Sequence, residues 1–308
     1  MSPDSLFLPF HFVFMQKAFL VAALISVPAA MLSCFLVLKG WALMGDAVSH
    51  AVLPGVVLAY AFGLPIIIGA FVAGMTCAVV TGYLSENSRI KQDTIMGVVF
   101  SGMFGIGLIL LVVFPIDIPI DHILFGNILG IDQSDLVLSG LISLAVCTIL
   151  IAKWKDVFLY CFDAAQARLC GLPSQSIHFG LLAVLSLTVV ATLSAVGIIL
   201  AIGLLIAPGA IAFLLVRQFH HMLWVSVLVC LLATFFGIYL SFFVDSAPAP
   251  TIILLLTFAF IFTFIWRRTS LSILKPLSID LPAVDSAPTI KMVYRSLPES
   301  RDQDTPKD

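Results

Sequence analysis

The residues best suited to chemistry are an aspartate and a histidine four positions apart in an apolar segment, Asp46 and His50. At this spacing, residues of a helix share one face. An ionisable side chain inside a membrane helix costs about 2.5–3.5 kcal/mol on insertion scales, so two of them need a compensating partner. A carboxylate and a neutral imidazole are accepted ligands of divalent transition metals, because oxygen suits Mn(II), nitrogen suits Zn(II) and Fe(II) accepts both.

Two ligands on one helix form an incomplete metal site, which suits an ion that must be released again. Ser49 and a backbone carbonyl freed by Pro54 are candidates for more distant oxygen ligands. The alternative is that Asp46 caps the helix near the membrane interface and His50 is a hydrogen-bonded residue of the bundle. The remaining histidines are weaker candidates: His11, His122, His178, His220 and His221.

The composition places these residues in a membrane. Of the 308 residues, 61% are hydrophobic and 10% are charged, with a mean hydropathy of +1.16. A soluble domain has about 45–50% apolar and about 25% charged residues. The apolar runs are continuous rather than alternating, which predicts helices and not barrel strands. The net charge of -2 argues against a nucleic-acid partner.

The predicted fold class is all-α: a polytopic membrane bundle of eight or nine transmembrane helices. The spans are predicted near 18–38, 44–62, 64–84, 94–115, 134–152, 177–195, 197–216, 222–243 and 250–267. The stretch 177–216 stays open, because it fits two crossings or one long helix followed by a half-helix near Pro208. Small residues four apart, such as Gly55 and Ala59, predict close helix contacts.

Two domains are predicted. Residues 1–268 are predicted to form the transmembrane domain, and residues 269–308 a proline-rich, disordered cytoplasmic tail. Lysine and arginine stay on the cytoplasmic side of a membrane. With the N-terminus outside, the loops between spans put nearly every basic residue inside, and Lys17 is the exception.

The longest inner loop, residues 153–173, contains a short helix with both ends marked. Asp163 is a candidate N-cap, with Gln166 in a capping-box position. Gly171 can close the helix and Pro173 prevents its continuation, which leaves about two turns over 164–170. Such a helix suits docking into a groove on another protein, and the alternative is an ordinary surface connector.

The sequence contains none of three common nucleotide-binding and catalytic motifs. It has no G-x-x-x-x-G-K-[ST] phosphate loop, no H-E-x-x-H and no G-x-S-x-G. If ATP drives transport, a separate subunit must bind it. Transport without ATP, by an ion-coupled secondary metal transporter, is one alternative. A membrane enzyme is another, and it would need a nucleophile–base pair or a fuller metal site.

Five segments, taken in order, resemble one known family. They are residues 39–55, 88–97, 124–130, 162–168 and 196–210. Together they resemble the membrane permeases of ATP-binding-cassette importers for manganese, zinc and chelated iron, over roughly residues 10–268. The sequence looks nearest to the manganese and iron branch.

The resemblance implies a permease subunit in a bacterial inner membrane, with no enzymatic activity and no tightly bound cofactor, whose cargo is Mn(II), Fe(II) or Zn(II). It implies three partners: a cytoplasmic ATP-binding subunit, an extracellular or periplasmic metal-binding solute-binding protein, and a second permease subunit, identical or paralogous. It places Asp46 and His50 on the ion pathway. It also makes the loop helix a coupling helix that contacts the ATPase through Asp163, Ala164, Gln166, Ala167, Arg168 and Gly171.

Overall fold

The computed structural model describes residues 9–114, 130 and 133–274, and the residues described here are helical apart from short connections. The helices are α1 (Val13–Lys39), α2 (Ala42–Ala51), α3 (Leu53–Ala61), α4 (Ile66–Glu86), α5 (Gln92–Val113), α6 (Gln133–Phe162), α7 (Ala164–Leu169), α8 (Ser174–Val196), α9 (Ile198–Leu215), α10 (Phe219–Val244) and α11 (Pro248–Leu274). No strand occurs among them, which confirms the all-α fold class.

Within the described ranges, nine segments are long and apolar enough to cross a membrane, with α2 and α3 together forming one of them. The open stretch 177–216 is two helices, α8 and α9, separated by Gly197 alone. Gly197 has φ 84°, a conformation that glycine adopts without a Cβ penalty. The alternative of one long helix followed by a half-helix is therefore wrong, and α9 continues through Pro208.

Two helices differ from their predicted bounds. The span predicted at 44–62 is broken at Val52, because Pro54 has no N–H to donate to the carbonyl of His50. The span predicted at 134–152 continues as α6 to Phe162, and so takes up the first ten residues of the predicted loop. Hydropathy falls at Lys153 and Lys155, but helical hydrogen bonding does not require apolar side chains.

The core is centred on α1, which packs against α6, α9 and α10. In lipid, such packing depends on small residues and polar contacts rather than on the hydrophobic effect. The Ser33 hydroxyl donates to the carbonyl oxygen of Ile206 at 3.1 Å and accepts from the N–H of Gly209 at 2.9 Å. The Ser226 hydroxyl donates to the carbonyl oxygen of Ala30 at 2.9 Å. These contacts fix α9 and α10 against α1.

The small-residue prediction is confirmed where α3 meets α4. Gly55 contacts Gly69 so closely that a Cβ added to either glycine would collide with the carbonyl oxygen of the other. Ala59 lies against the same glycine. At Gly105, which follows the small residue Ser101 by four positions, an added Cβ would meet nothing within 4 Å, so no close contact with another of the described helices lies there.

The contacts within the chain divide it into two units, Met1–Arg267 and Arg268–Asp308. Helix α11 continues to Leu274, six residues beyond the predicted domain boundary. The rest of the predicted tail, 275–308, lies outside the described residues, as does His122. The tail stays a prediction.

Replacing Gly209 by alanine is expected to lower the midpoint of thermal unfolding in detergent. The new Cβ would lie 2.6 Å from the carbonyl oxygen of Ser33, and backbone atoms cannot rotate away. Overpacking of this kind costs about 1–3 kcal/mol. Gly180→Ala is the matched control, because a Cβ there meets nothing within 4 Å. Equal midpoints for the two variants would contradict this account of the α1–α9 contact.

Candidate functional site

Asp46 and His50 lie together on α2. The Nε2 atom of His50 is 3.3 Å from Oδ1 of Asp46, and each side chain keeps 35% of its surface exposed. The helical spacing therefore brings the two ligand atoms together, as the sequence predicts. Their neighbour Ser49 is only 1% exposed, and its hydroxyl donates to the carbonyl oxygen of Gly45 at 2.7 Å. Ser49 lies in the core rather than with the exposed pair.

The helix-cap alternative for Asp46 is wrong. The N-cap of α2 is Trp41, and the first turn of the helix holds no acidic residue. Asp46 lies one turn inside the helix, where the backbone N–H groups already donate to carbonyl oxygens of the preceding turn. The carboxylate is therefore free to face the imidazole of His50.

Aromatic rings of α5 flank the imidazole. The ring centroid of His50 is 5.6 Å from that of Phe104 and 6.1 Å from that of Phe100. These phenylalanines are one turn apart on α5, a spacing visible in the sequence, but nothing local connects them to His50. They border the pair with apolar surface, which strengthens electrostatic interactions beside it.

The pair is an incomplete ligand set in this chain. Among residues 9–114, 130 and 133–274, no group of three or more His, Cys, Asp or Glu residues is placed to hold a metal ion. Two ligands can contact a divalent ion, but the ion's remaining positions are left for water, backbone oxygen or a second chain. The two polar side chains, each 35% exposed, form a polar strip on α2 in a chain that is largely apolar.

The weaker histidine candidates fall in different places. His178 is 9% exposed, and its Nδ1 lies 2.8 Å from the hydroxyl of Tyr160. The rings of His220 and His221 are 3.9 Å apart on the exposed start of α10. His11 is exposed near the N-terminus. None of these side chains joins Asp46 and His50.

The predicted loop helix is present as α7, and both of its ends are closed. Oδ1 of Asp163 accepts from the N–H groups of Ala165 at 2.8 Å and Gln166 at 3.0 Å, which confirms the N-cap. The capping-box prediction for Gln166 is wrong, because the N–H of Asp163 donates to the carbonyl oxygen of Leu159 at 2.9 Å. That N–H is occupied because α6 runs directly up to the cap.

The C-terminal end of α7 is a Schellman motif. The N–H of Leu172 donates to the carbonyl oxygen of Ala167, and that of Gly171 to Arg168. Gly171 has φ 79°, which favours glycine. A helix this short owes its stability to its caps and to packing rather than to propensity.

Packing divides α7 into a buried and an exposed face. Ala167 is fully buried in the core cluster, and Ala164 is partly buried against it. Of the predicted contact residues, Ala167 therefore anchors the helix rather than facing outward. Gln166 and Arg168 are exposed as predicted, and Leu169, which sequence reasoning omitted, is 88% exposed.

Comparison with known proteins gives one consistent result. A family model described as the ABC 3 transport family matches residues 11–267. The chain is 51% identical over 260 residues to the chelated iron transport system membrane protein YfeD of Yersinia pestis, covering 84% of this chain and 88% of that protein. It is 43% identical over 273 residues to the manganese transport system membrane protein MntB of Synechocystis, covering 85% and 89%.

A solved structure agrees with these relatives. The structure of PsaBC from Streptococcus pneumoniae in complex with Fab matches with a TM-score of 0.75 and 34% sequence identity. The match covers 82% of this chain and 91% of the matched chain.

Proposed function

Because this chain belongs to the ABC 3 transport family, we propose that it is the permease subunit of a bacterial inner-membrane importer for Mn(II) or iron. The observation that carries the proposal is the Asp46–His50 pair, whose Oδ1 and Nε2 atoms lie 3.3 Å apart on a partly exposed face of α2 in a largely apolar bundle. The two curated relatives reported above are named for chelated iron and for manganese. Oxygen and nitrogen together suit both metals, and Zn(II) as well.

A second permease subunit completes the pathway. Two ligands in one chain leave the coordination of an ion unfinished, and a two-fold symmetric partner brings the same pair from the opposite side. These groups face an open passage in which water keeps part of the ion's coordination, so the ion can be captured and then released, whereas a closed site would retain it. The Asp46–His50 contact in each chain keeps both groups satisfied while no ion is present.

The energy comes from a separate ATP-binding subunit on the cytoplasmic side. The sequence contains no phosphate-binding loop. Helix α7 offers a docking point, because Gln166, Arg168 and Leu169 are exposed while Ala167 holds the helix on the bundle. Lysine and arginine in the inner loops orient this end toward the cytoplasm, and a solute-binding protein delivers the metal from the other side.

Transport then proceeds by alternating access. The delivered ion enters between the two permease subunits and contacts Asp46 and His50 transiently. ATP binding and hydrolysis in the partner move α7, and rigid-body motion of the helices behind it opens the passage inward.

The proposal is tested with proteoliposomes containing this chain, its ATP-binding subunit and the solute-binding protein. We expect uptake of radioactive manganese or iron that requires ATP hydrolysis and survives collapse of the ion gradients by ionophores. Vesicles with a non-hydrolysable ATP analogue are the control. Uptake by this chain alone, abolished by ionophores and indifferent to ATP, would identify an ion-coupled secondary transporter and contradict the proposal.

A further inference from the structure

Four side chains that the transport pathway does not use meet where α1, α2, α6 and α8 come together. Lys39 ends α1, Trp41 is the N-cap of α2, Tyr160 lies in the last turn of α6, and His178 lies near the start of α8. Trp41, Tyr160 and His178 are 4%, 6% and 9% exposed. We call these four residues the inner cluster.

A buried hydrogen bond joins the two helices on either side of α7. The Tyr160 hydroxyl and Nδ1 of His178 are 2.8 Å apart. Tyr160 comes three residues before the N-cap Asp163, and His178 lies in the second turn of α8. The bond therefore ties the end of α6 to the start of α8, the two helices that flank α7.

Lys39 attaches this base to the end of α1. Its Nζ atom lies 4.2 Å from the ring centroid of Tyr160, within cation–π range, and donates to the carbonyl oxygen of Tyr160 at 3.4 Å. That carbonyl belongs to the last turn of α6, where carbonyls lack a full set of intrahelical partners and a cation is favourable. Nζ also lies 5.8 Å from the Trp41 ring.

Trp41 continues the chain of contacts into the helix that carries the candidate metal ligands. Its ring meets that of His178 edge-on, with centroids 5.2 Å apart. Helix α2 begins at the next residue, and Asp46 follows on its second turn. Helix α4 packs closely against the same imidazole, because a Cβ added to Gly82 would lie only 2.9 Å from Nε2 of His178.

From these contacts we propose that the inner cluster is a positioning device that transmits displacement of α7 to α2, and so to Asp46 and His50. The inference rests on the proposed function, since it assumes that α7 receives the ATPase and that α2 meets the ion. Packed, polar-bonded side chains of this kind have few alternative arrangements, so they pass on a displacement instead of absorbing it.

The test measures how many metal ions are taken up per ATP hydrolysed by the complete complex in proteoliposomes. Tyr160→Phe removes the hydroxyl that bonds His178, and Lys39→Met removes the ammonium group together with its hydrogen bond to the carbonyl oxygen of Tyr160. We expect ATP hydrolysis to continue in both variants while the ratio of uptake to hydrolysis falls about fivefold or more, as for the loss of a typical coupling interaction. Lys39→Arg, which keeps a cation over the ring, is expected to restore the ratio.

Tyr239→Phe is the matched control, because Tyr239 packs against Phe10 and Phe243, away from α7. A purely structural role for the inner cluster would lower uptake and hydrolysis in proportion and leave their ratio at the wild-type value. That result in either Tyr160→Phe or Lys39→Met would overturn the inference, as would unchanged rates in both. Failure of the wild-type complex to couple uptake to ATP would instead contradict the proposed function itself.

Discussion

Replacing Asp46 by asparagine or His50 by glutamine is expected to reduce metal uptake by the complete complex by about tenfold or more. Each change nearly keeps the size of the side chain but replaces a candidate metal ligand, a carboxylate or an imidazole, with a neutral amide that binds divalent transition metals less strongly. About 1.4 kcal/mol of lost interaction already equals a factor of ten. In a complex of two identical permeases both copies carry the change, so the lost interaction free energy is doubled. ATP hydrolysis is expected to continue, because neither residue lies near α7. The solute-binding protein is expected to bind as it does to the wild-type complex.

The measurement is initial uptake of radioactive manganese or iron, normalised to the amount of assembled complex. Asp156→Asn and His221→Gln are matched controls. Asp156 pairs with Lys153 at 3.5 Å on the surface of α6, and His221 is exposed on α10. Wild-type uptake in both Asp46→Asn and His50→Gln would remove these residues from the ion pathway.

The second large effect is expected from a charge placed on α7. Leu169→Glu puts a carboxylate on a side chain that is 88% exposed, so the fold of the permease should tolerate it. If Leu169 anchors the ATP-binding subunit, burying that carboxylate in the interface costs about 2 kcal/mol. This cost corresponds to a roughly 30-fold loss of affinity between the two subunits. Uptake is expected to disappear together with co-purification of the ATP-binding subunit.

Leu169→Met is the matched control for this experiment, because methionine retains an apolar side chain of similar volume. Co-purification is measured from membranes in which both subunits are expressed, and the unfolding midpoint of the isolated permease checks that the fold is intact. A Leu169→Glu complex that assembles and transports like wild type would show that the ATPase docks elsewhere.

The sequence alone determined the features that depend on neighbouring residues. Runs of apolar residues about 20 long predicted the spans, because the thickness of a bilayer fixes the length of a crossing helix. The four-residue spacing of Asp46 and His50 placed the ligand atoms together, because one helical turn is a local property. Asp163 and Gly171 predicted the two ends of α7 for the same reason: a cap bonds to backbone two to four residues away.

Where local reasoning was wrong, a competing contact explains the result. Hydropathy ended the fifth span at 152, but α6 continues to Phe162 because its last turns pack on the core and lead straight into α7. Gln166 does not complete a capping box because that same continuation occupies the N–H of Asp163. The sequence predicted that Ala167 lies on a surface helix and contacts the ATPase, yet the bundle buries its side chain fully.

Only the tertiary structure decided which distant residues meet. Ser33 bonds to Gly209 across 176 positions, and Lys39 reaches Tyr160 across 121. Likewise, the ring of Phe104 lies beside His50, and His178, a candidate metal ligand by type, is bonded to Tyr160. No periodicity or cap in one sequence encodes these pairs, because helices in lipid are selected by how their surfaces fit one another and not by the apolarity they all share.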